Sequence, residues 1–149
     1  MQNQTSNQTP MPKLQPPGAG LPIPQKILLK MFMGPVVSKL SNLEAIRSKY
    51  EALTLKIINV VGSVDEEKRS VKVLVSPIPG LEDSSRFWSI NETIEHLLIV
   101  SKGMEQIILT LASGRLPSAT VDIAKVKPKG ESAKAIDEFK EYAPELLKR

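Results

Sequence analysis

The sequence predicts an all-α protein, an up-and-down helical bundle in which three long helices are present. Three segments of the 149-residue chain repeat apolar side chains at alternating spacings of three and four, which is the period of one helix face. Hydrophobic residues make up 41% of the chain and charged residues 24%, as in ordinary soluble globular domains. Because the helices of a bundle bury their apolar faces against one another, we predict that a fourth helix is missing or is supplied by a partner.

The first long helix is predicted to begin near Ser41 and to run for about 20 residues. Ser41 and Glu44 have the spacing of a capping box, in which each side chain bonds the backbone amide of the other residue. Gly62 supplies a stop signal. The apolar face of this helix consists of Leu43, Ile46, Tyr50, Leu53, Ile57 and Val60.

The connection after this helix is predicted to be mainly irregular. Ser63 and Glu66 repeat the capping-box spacing before a short polar turn of helix. Residues 71–75 alternate apolar and polar side chains, as a strand does, but the sequence offers no second candidate strand. We therefore interpret residues 71–75 as an extended connection, which leads into a proline-containing loop at residues 76–80.

The second long helix is predicted over residues 89–113. Ser89 can cap its first turn, and Glu92 lies three residues later, where it can close a capping box. Gly114 and then Pro117 end the helical pattern. The start and the end of this helix are therefore both marked in the sequence.

The third long helix is predicted to begin near Glu131, with apolar residues along one side. Pro144 is expected to bend or restart it, because proline lacks the amide hydrogen that a helix interior requires. The pattern runs to Arg149 without a C-terminal cap, so we expect a truncated form of a longer product.

The chain is predicted to divide into three parts. Residues 1–20 are polar and proline-rich and should be disordered. Residues 21–40 are predicted to form an extended strap followed by a short apolar helix or lid, which we expect to pack on the body. Residues 41–149 are predicted to form the bundle. The alternative for the short helix is a membrane-surface or partner-binding role, but about nine residues are too few to hold a membrane alone.

Charge and composition exclude several function classes. The chain lacks cysteine, which excludes a disulfide framework, a thiolate zinc site and a cysteine nucleophile. Its net charge of +4 comes from four lysines within residues 1–40, while residues 41–149 carry 16 basic and 16 acidic residues. A neutral body with 4% aromatic residues does not fit a nucleic-acid-binding protein. Without a long apolar run or a secretory signal, we expect a cytoplasmic protein with no stable membrane association.

His96, the sole histidine, is where we expect chemistry to be centred if the chain has any. Neutral imidazole is both a common metal ligand and a common acid–base group. Glu92, one turn earlier, and Asp122, in a predicted loop, are weak candidates to join it, and Glu95 is interpreted as part of a solvated face. A metal site usually needs three or four protein ligands, so the simplest interpretation is a half-buried histidine that is hydrogen-bonded within the bundle.

The segment from Gly80 to Gly114 resembles the DinB-like proteins, a superfamily of metal-binding four-helix proteins. The resemblance rests on Trp88-Ser89, Glu92 and Glu95-His96-Leu97, and it extends more weakly over residues 40–145. It implies a bundle of the DinB type in which His96 ligates a divalent metal, zinc or nickel. The two further ligands of that family resemble a His-x-x-x-His pair on a fourth helix, which this sequence lacks.

The resemblance implies a divalent-metal-binding protein related to thiol-dependent transferases and hydrolases. In such a site the metal lowers the pKa of a bound thiol or water. With the ligand set incomplete, we expect weak or absent metal binding and little activity from this chain. The alternative is a non-enzymatic helical interaction module, a homodimer in which two units complete one bundle and share a two-histidine site.

Overall fold

The computed structural model describes residues 12–28, 31, 42–117, 123–130 and 134–148. Within these ranges the chain is mainly helical, which confirms the prediction of an all-α protein. Residues 23–28 are helical, and short 3₁₀ turns occur at Asp83–Ser85 and Ile123–Val126. The remaining elements are, in order, α1 (Leu43–Gly62), α2 (Glu66–Arg69), β1 (Val73–Leu74), β2 (Phe87–Trp88), α3 (Ile90–Ala112) and α4 (Ala135–Leu146).

The helix α1 has the predicted length but a different cap. Asn42, not Ser41, is its N-cap, and the Asn42 side chain accepts hydrogen bonds from the backbone amides of Glu44 and Ala45. Asparagine satisfies these first amides as well as serine does. Ser41 lies outside the described residues.

The predicted capping box at Ser63 and Glu66 does not form. Asp65 is the N-cap of α2 and makes no side-chain capping bond. The Ser63 hydroxyl donates to the Val60 carbonyl instead. Ser63 thus satisfies a carbonyl at the end of α1, which helix ends leave without a partner in their own helix.

A two-stranded antiparallel sheet corrects the interpretation of residues 71–75 as a connection without a partner. Val73 pairs with Trp88 and Leu74 with Phe87. The pairing continues at one end of this hairpin, where the backbone carbonyl of Arg86 accepts a hydrogen bond from the amide of Val75 at 2.9 Å. The second strand was not predicted, because Phe87 and Trp88 were interpreted as part of the start of α3.

α3 matches its prediction closely. Ser89 caps it, and the reciprocal bonds of the capping box join Ser89 and Glu92. α4 begins at Ala135, while residues 131–133 lie outside the described residues. Pro144 does not restart α4, because the helix continues through it to Leu146.

Helices α3 and α4 run parallel, which corrects the prediction of an up-and-down connection. Three contacts advance in the same direction along both segments: Glu95 with Lys129, Lys102 with Glu138, and Glu105 with Tyr142. Residues 126, 129 and 130 of the intervening connection accordingly lie beside the first turns of α3. α1 is antiparallel to α4, because Arg47 near its start bonds the carbonyl of Leu147.

The buried core lies where the three long helices meet. Its cluster of buried apolar residues consists of Val61, Ile94, Ala135, Phe139 and Ala143. They come from the end of α1, the first turns of α3 and one face of α4. α4 therefore joins the other two long helices, while the opposite faces of α1 and α3 lie away from it.

Residues 12–28 contact the loop before β2. The backbone amides of Gly18 and Gly20 donate to Glu82 Oε1 at 2.8 and 3.2 Å, and the amide of Gln15 donates to Asp83 at 2.8 Å. The prediction of disorder for residues 1–20 stays a prediction for residues 1–11, which lie outside the described residues. Hydrogen bonds to two carboxylates hold residues 15–20 here.

The described apolar residues of the predicted strap and lid are exposed, which does not fit the expected packing on the body. Ile23 is 73% exposed, Met31 is 68% exposed, and Ile27 and Leu28 are each more than half exposed. The rest of residues 29–41 lies outside the described residues. In the part of the chain that the structure describes, no helix is long and apolar enough to cross a membrane.

Candidate functional site

His96 lies half-buried on α3 and holds a loop that is distant in the sequence. Its Nδ1 atom is 2.5 Å from the carbonyl oxygen of Val126. Since a carbonyl can only accept, Nδ1 carries the proton and donates it, which leaves the lone pair of the neutral ring on Nε2. The Trp88 ring stacks beside it at a tilted angle, with ring centroids 4.9 Å apart.

Glu95 completes the attachment of this loop. Its carboxylate accepts from the backbone amides of Lys129 at 2.8 Å and Gly130 at 3.2 Å. Glu95 is only 7% exposed, so the interpretation of it as part of a solvated face is wrong. We call Glu95 and His96 together the loop clamp, because both hold the backbone of residues 126–130.

Lys127 and Glu82 form a partly buried ion pair beside the loop clamp. Their charged atoms are 2.8 Å apart, and their side chains are 15% and 13% exposed. Lys127 also donates to the hydroxyls of Ser84 and Ser85 and lies 5.3 Å from the centroid of the Trp88 ring. Three segments of the chain therefore meet at one lysine and one carboxylate.

The environment of Glu82 favours its ionised form. Partial burial raises the pKa of Glu82, but hydrogen bonds from Lys127, Ser84 and the amides of Gly20 and Gly18 outweigh this. The net result lowers the pKa from 4.5 to about 2. Hydrogen bonds to the charged form are the expected cause of such a decrease.

Glu92, one of the other candidate ligands, is held by partners other than His96. Glu92 Oε2 accepts from the Ser89 amide at 2.9 Å, and its Oε1 pairs with Lys72 at 2.7 Å. Burial raises the pKa of Glu92, but Lys72 and Ser89 lower it further than burial raises it. Asp122 lies outside the described residues. Among the described residues, no three histidine, aspartate or glutamate side chains lie close enough together to hold a metal ion.

An apolar groove is a concave feature that the sequence analysis missed. It lies between α1, the hairpin and the start of α3, and its volume is about 620 Å³. Ile57 and Ile94 line it, together with Trp88, whose ring also touches His96. We call its exposed and half-buried rim the groove face: Leu53, Val60, Val71, Val73, Val75 and Leu97.

Local geometry explains why these residues share one surface. Val71, Val73 and Val75 alternate along an extended segment, so their side chains point to the same side. Leu53 lies four residues before Ile57 and seven before Val60, so all three share one face of α1. The alternation was visible in the sequence, but its partner strand was not.

The groove face is unusually exposed for its composition. Leu53 is 49% exposed, Val60 55% and Val73 57%. Helix α3 carries further apolar side chains beyond the groove. Met104 is 51% exposed and Ile108 is 58% exposed. Large exposed apolar patches are typical of interaction surfaces.

No family model, curated protein or solved structure matches this chain. Two features of the described residues bear on function. The loop clamp binds the backbone of residues 126–130 and attaches this loop to α3. The groove face is apolar, concave and open.

Proposed function

We propose that this protein is a helical interaction module in which a second copy of the chain covers the groove face. The observation that carries the proposal is that large apolar side chains around a concave cavity are about half exposed: Leu53, Val60, Val71 and Val73. Such side chains gain roughly 25 cal/mol for each square ångström of apolar surface removed from water.

Exposed apolar surface on α1 and α3 extends beyond the groove. A specific interface buries about 800 Å² on each partner. Besides the groove face, α1 and α3 carry large apolar side chains that are about half exposed: Ile46, Met104, Ile108 and Leu111. We expect a dimer interface to include them.

Charge also favours a second copy as the occupant. Residues 41–149 carry equal numbers of basic and acidic residues, so two bodies do not repel each other through net charge. Two lysines lie at the rim of the groove, and one of them, Lys68, is paired with Asp65 at 2.6 Å. The centre of the surface is therefore apolar and its edge is polar, as in protein interfaces.

Introducing a charge on the groove face is expected to abolish the dimer. In Val73→Asp the carboxylate would be buried at the interface without a partner, which costs several kcal/mol of association free energy. We expect the unchanged protein to have the mass of a dimer at micromolar concentration, and Val73→Asp to have the mass of a monomer. Sedimentation equilibrium over a range of concentrations measures both masses.

Leu116→Asp is the matched control, because Leu116 is 86% exposed and lies in the segment after α3, away from the groove. It should leave the mass of the dimer unchanged. Equal helical circular dichroism in all three proteins separates loss of association from loss of folding. An unchanged protein that stays monomeric would contradict the proposal, and so would a Val73→Asp variant that remains a dimer.

A second candidate is that the chain is a DinB-type bundle in which His96 ligates zinc or nickel. The observation that favours it is the hydrogen bond from Nδ1 to the Val126 carbonyl, because metal-binding histidines commonly fix the other nitrogen in this way. Nε2 is then the nitrogen available to a metal. Further ligands would have to come from outside the described residues or from a second copy.

Metal content tests this second candidate. If His96 ligates a metal, protein dialysed against zinc or nickel and freed of the excess should contain one metal ion for each chain or for every two chains. His96→Ala should lose that metal, whereas Glu44→Ala, an exposed carboxylate on α1, should keep it. Protein without bound metal would contradict the metal site and leave the interaction module standing.

A further inference from the structure

The helical segment near the N-terminus presents a second apolar surface, separate from the groove. Ile23 is 73% exposed, Ile27 55%, Leu28 53% and Met31 68%. We call these four residues the N-terminal apolar face. Ile23, Ile27 and Met31 are spaced four residues apart, so a helix places them along one side.

The apolar side chains of this face do not attach the segment to the body. The attachment is polar: amides of Gly18 and Gly20 bond Glu82, and Gln25 Oε1 accepts from the Gly80 amide at 3.4 Å. Burial of large apolar side chains is the usual way in which a short helix is held on a domain. Here that surface is left for another occupant.

The charge of this part of the chain indicates what the occupant is. Residues 1–40 contain Lys13, Lys26, Lys30 and Lys39 and lack acidic residues altogether. Lys26 lies between Ile23 and Ile27 in the sequence and its side chain is exposed. Lysines beside an exposed apolar helix face are typical of helices that lie in the headgroup region of an anionic membrane.

We propose that the N-terminal apolar face binds the surface of a membrane that contains anionic phospholipids. Ile23, Ile27, Leu28 and Met31 enter the headgroup boundary, and the exposed Lys13 and Lys26 contact lipid phosphates and carboxylates. Lysines spread over 40 residues with no acidic neighbour suit a diffuse anionic surface better than one set of ion pairs on a protein. Because the apolar face is short, the binding is peripheral and reversible, which agrees with the expected absence of stable membrane association.

Sedimentation with lipid vesicles tests this proposal on the full chain. We expect about fivefold more protein bound to vesicles with about 30% phosphatidylserine than to vesicles of phosphatidylcholine alone. High salt should reduce the difference, because the attraction is screened beyond roughly 3 Å at 1 M ionic strength. Equal binding to both kinds of vesicle, or binding to neither, would overturn the proposal.

Two variants identify the residues responsible. Ile27→Asp should lower binding to the anionic vesicles about fivefold, because it places a charge within the apolar face. Leu116→Asp is the control, since it makes the same kind of change at an exposed apolar residue elsewhere. If Ile27→Asp binds as well as the control, the face does not bind lipid. If the chain binds soluble polyglutamate but not the anionic vesicles, an acidic protein is the occupant and the lipid proposal fails.

Discussion

Replacing Phe139 by alanine is expected to lower the free energy of unfolding by about 3–5 kcal/mol. Phe139 is 5% exposed and belongs to the core cluster with Val61 and Ile94. Its removal leaves a cavity at the point where α4 joins α1 and α3, and the surrounding helices relax only in part. Since small domains are stable by about 5–15 kcal/mol in total, much of the fold's stability depends on this ring.

Urea denaturation followed by circular dichroism measures this effect. Leu109→Ala is the matched control, because it also truncates a large apolar side chain in a helix, but Leu109 is 54% exposed. Its expected cost is below about 1 kcal/mol. A loss in Phe139→Ala as small as that of the control would show that α4 does not pack as described.

Replacing Glu82 by glutamine is the second change with a large expected effect, a destabilisation of about 2 kcal/mol at neutral pH. The change leaves the ammonium group of Lys127, which is 15% exposed, without its carboxylate. It also weakens the acceptor for the amides of Gly18 and Gly20. One substitution therefore loosens the attachment of both the N-terminal segment and the loop that contains Lys127.

The same pair predicts a dependence of stability on pH. The pKa of Glu82 is lowered from 4.5 to about 2 in the folded protein, so ionised Glu82 stabilises the fold fully above pH 4.5. This contribution disappears as the pH falls through about 2, where the folded protein also binds the proton. The Glu82→Gln variant lacks this contribution, so its deficit relative to the unchanged protein should shrink between neutral pH and pH 2.

Urea denaturation at neutral and acidic pH compares the two proteins. Glu145→Gln is the control, because its ion pair with Lys148 is exposed on both sides and should be worth less than about 1 kcal/mol. The double variant Glu82→Gln with Lys127→Met should lose less stability than the two single changes added together. Additive losses would mean that the two residues do not act as a pair.

Local signals in the sequence predicted the helices well. The Ser89–Glu92 capping box and the glycine after Ser113 place α3 within one residue at each end. Such signals act over three or four residues, so one sequence is enough to read them. The hairpin was missed because its pairing joins Val73 to Trp88 across a loop, and no local pattern records which segment a strand will meet.

The site was predictable only in part, for the same reason. His96 was expected to be half-buried and hydrogen-bonded within the bundle, and its bond to Val126 confirms this. Nothing near Glu95 in the sequence shows that its partners lie 34 and 35 residues later. The groove face could not be foreseen either, because it needs side chains from α1, the hairpin and α3 at once.

The parallel arrangement of α3 and α4 has a consequence for the rate at which the chain folds. Neighbouring antiparallel helices can form a local hairpin early, but α3 and α4 meet through residues 34–37 positions apart. The contact of Arg47 with Leu147 spans 100 positions. Each of these encounters closes a long loop before any burial compensates for the lost chain entropy. The protein should therefore fold more slowly than an antiparallel bundle of the same size.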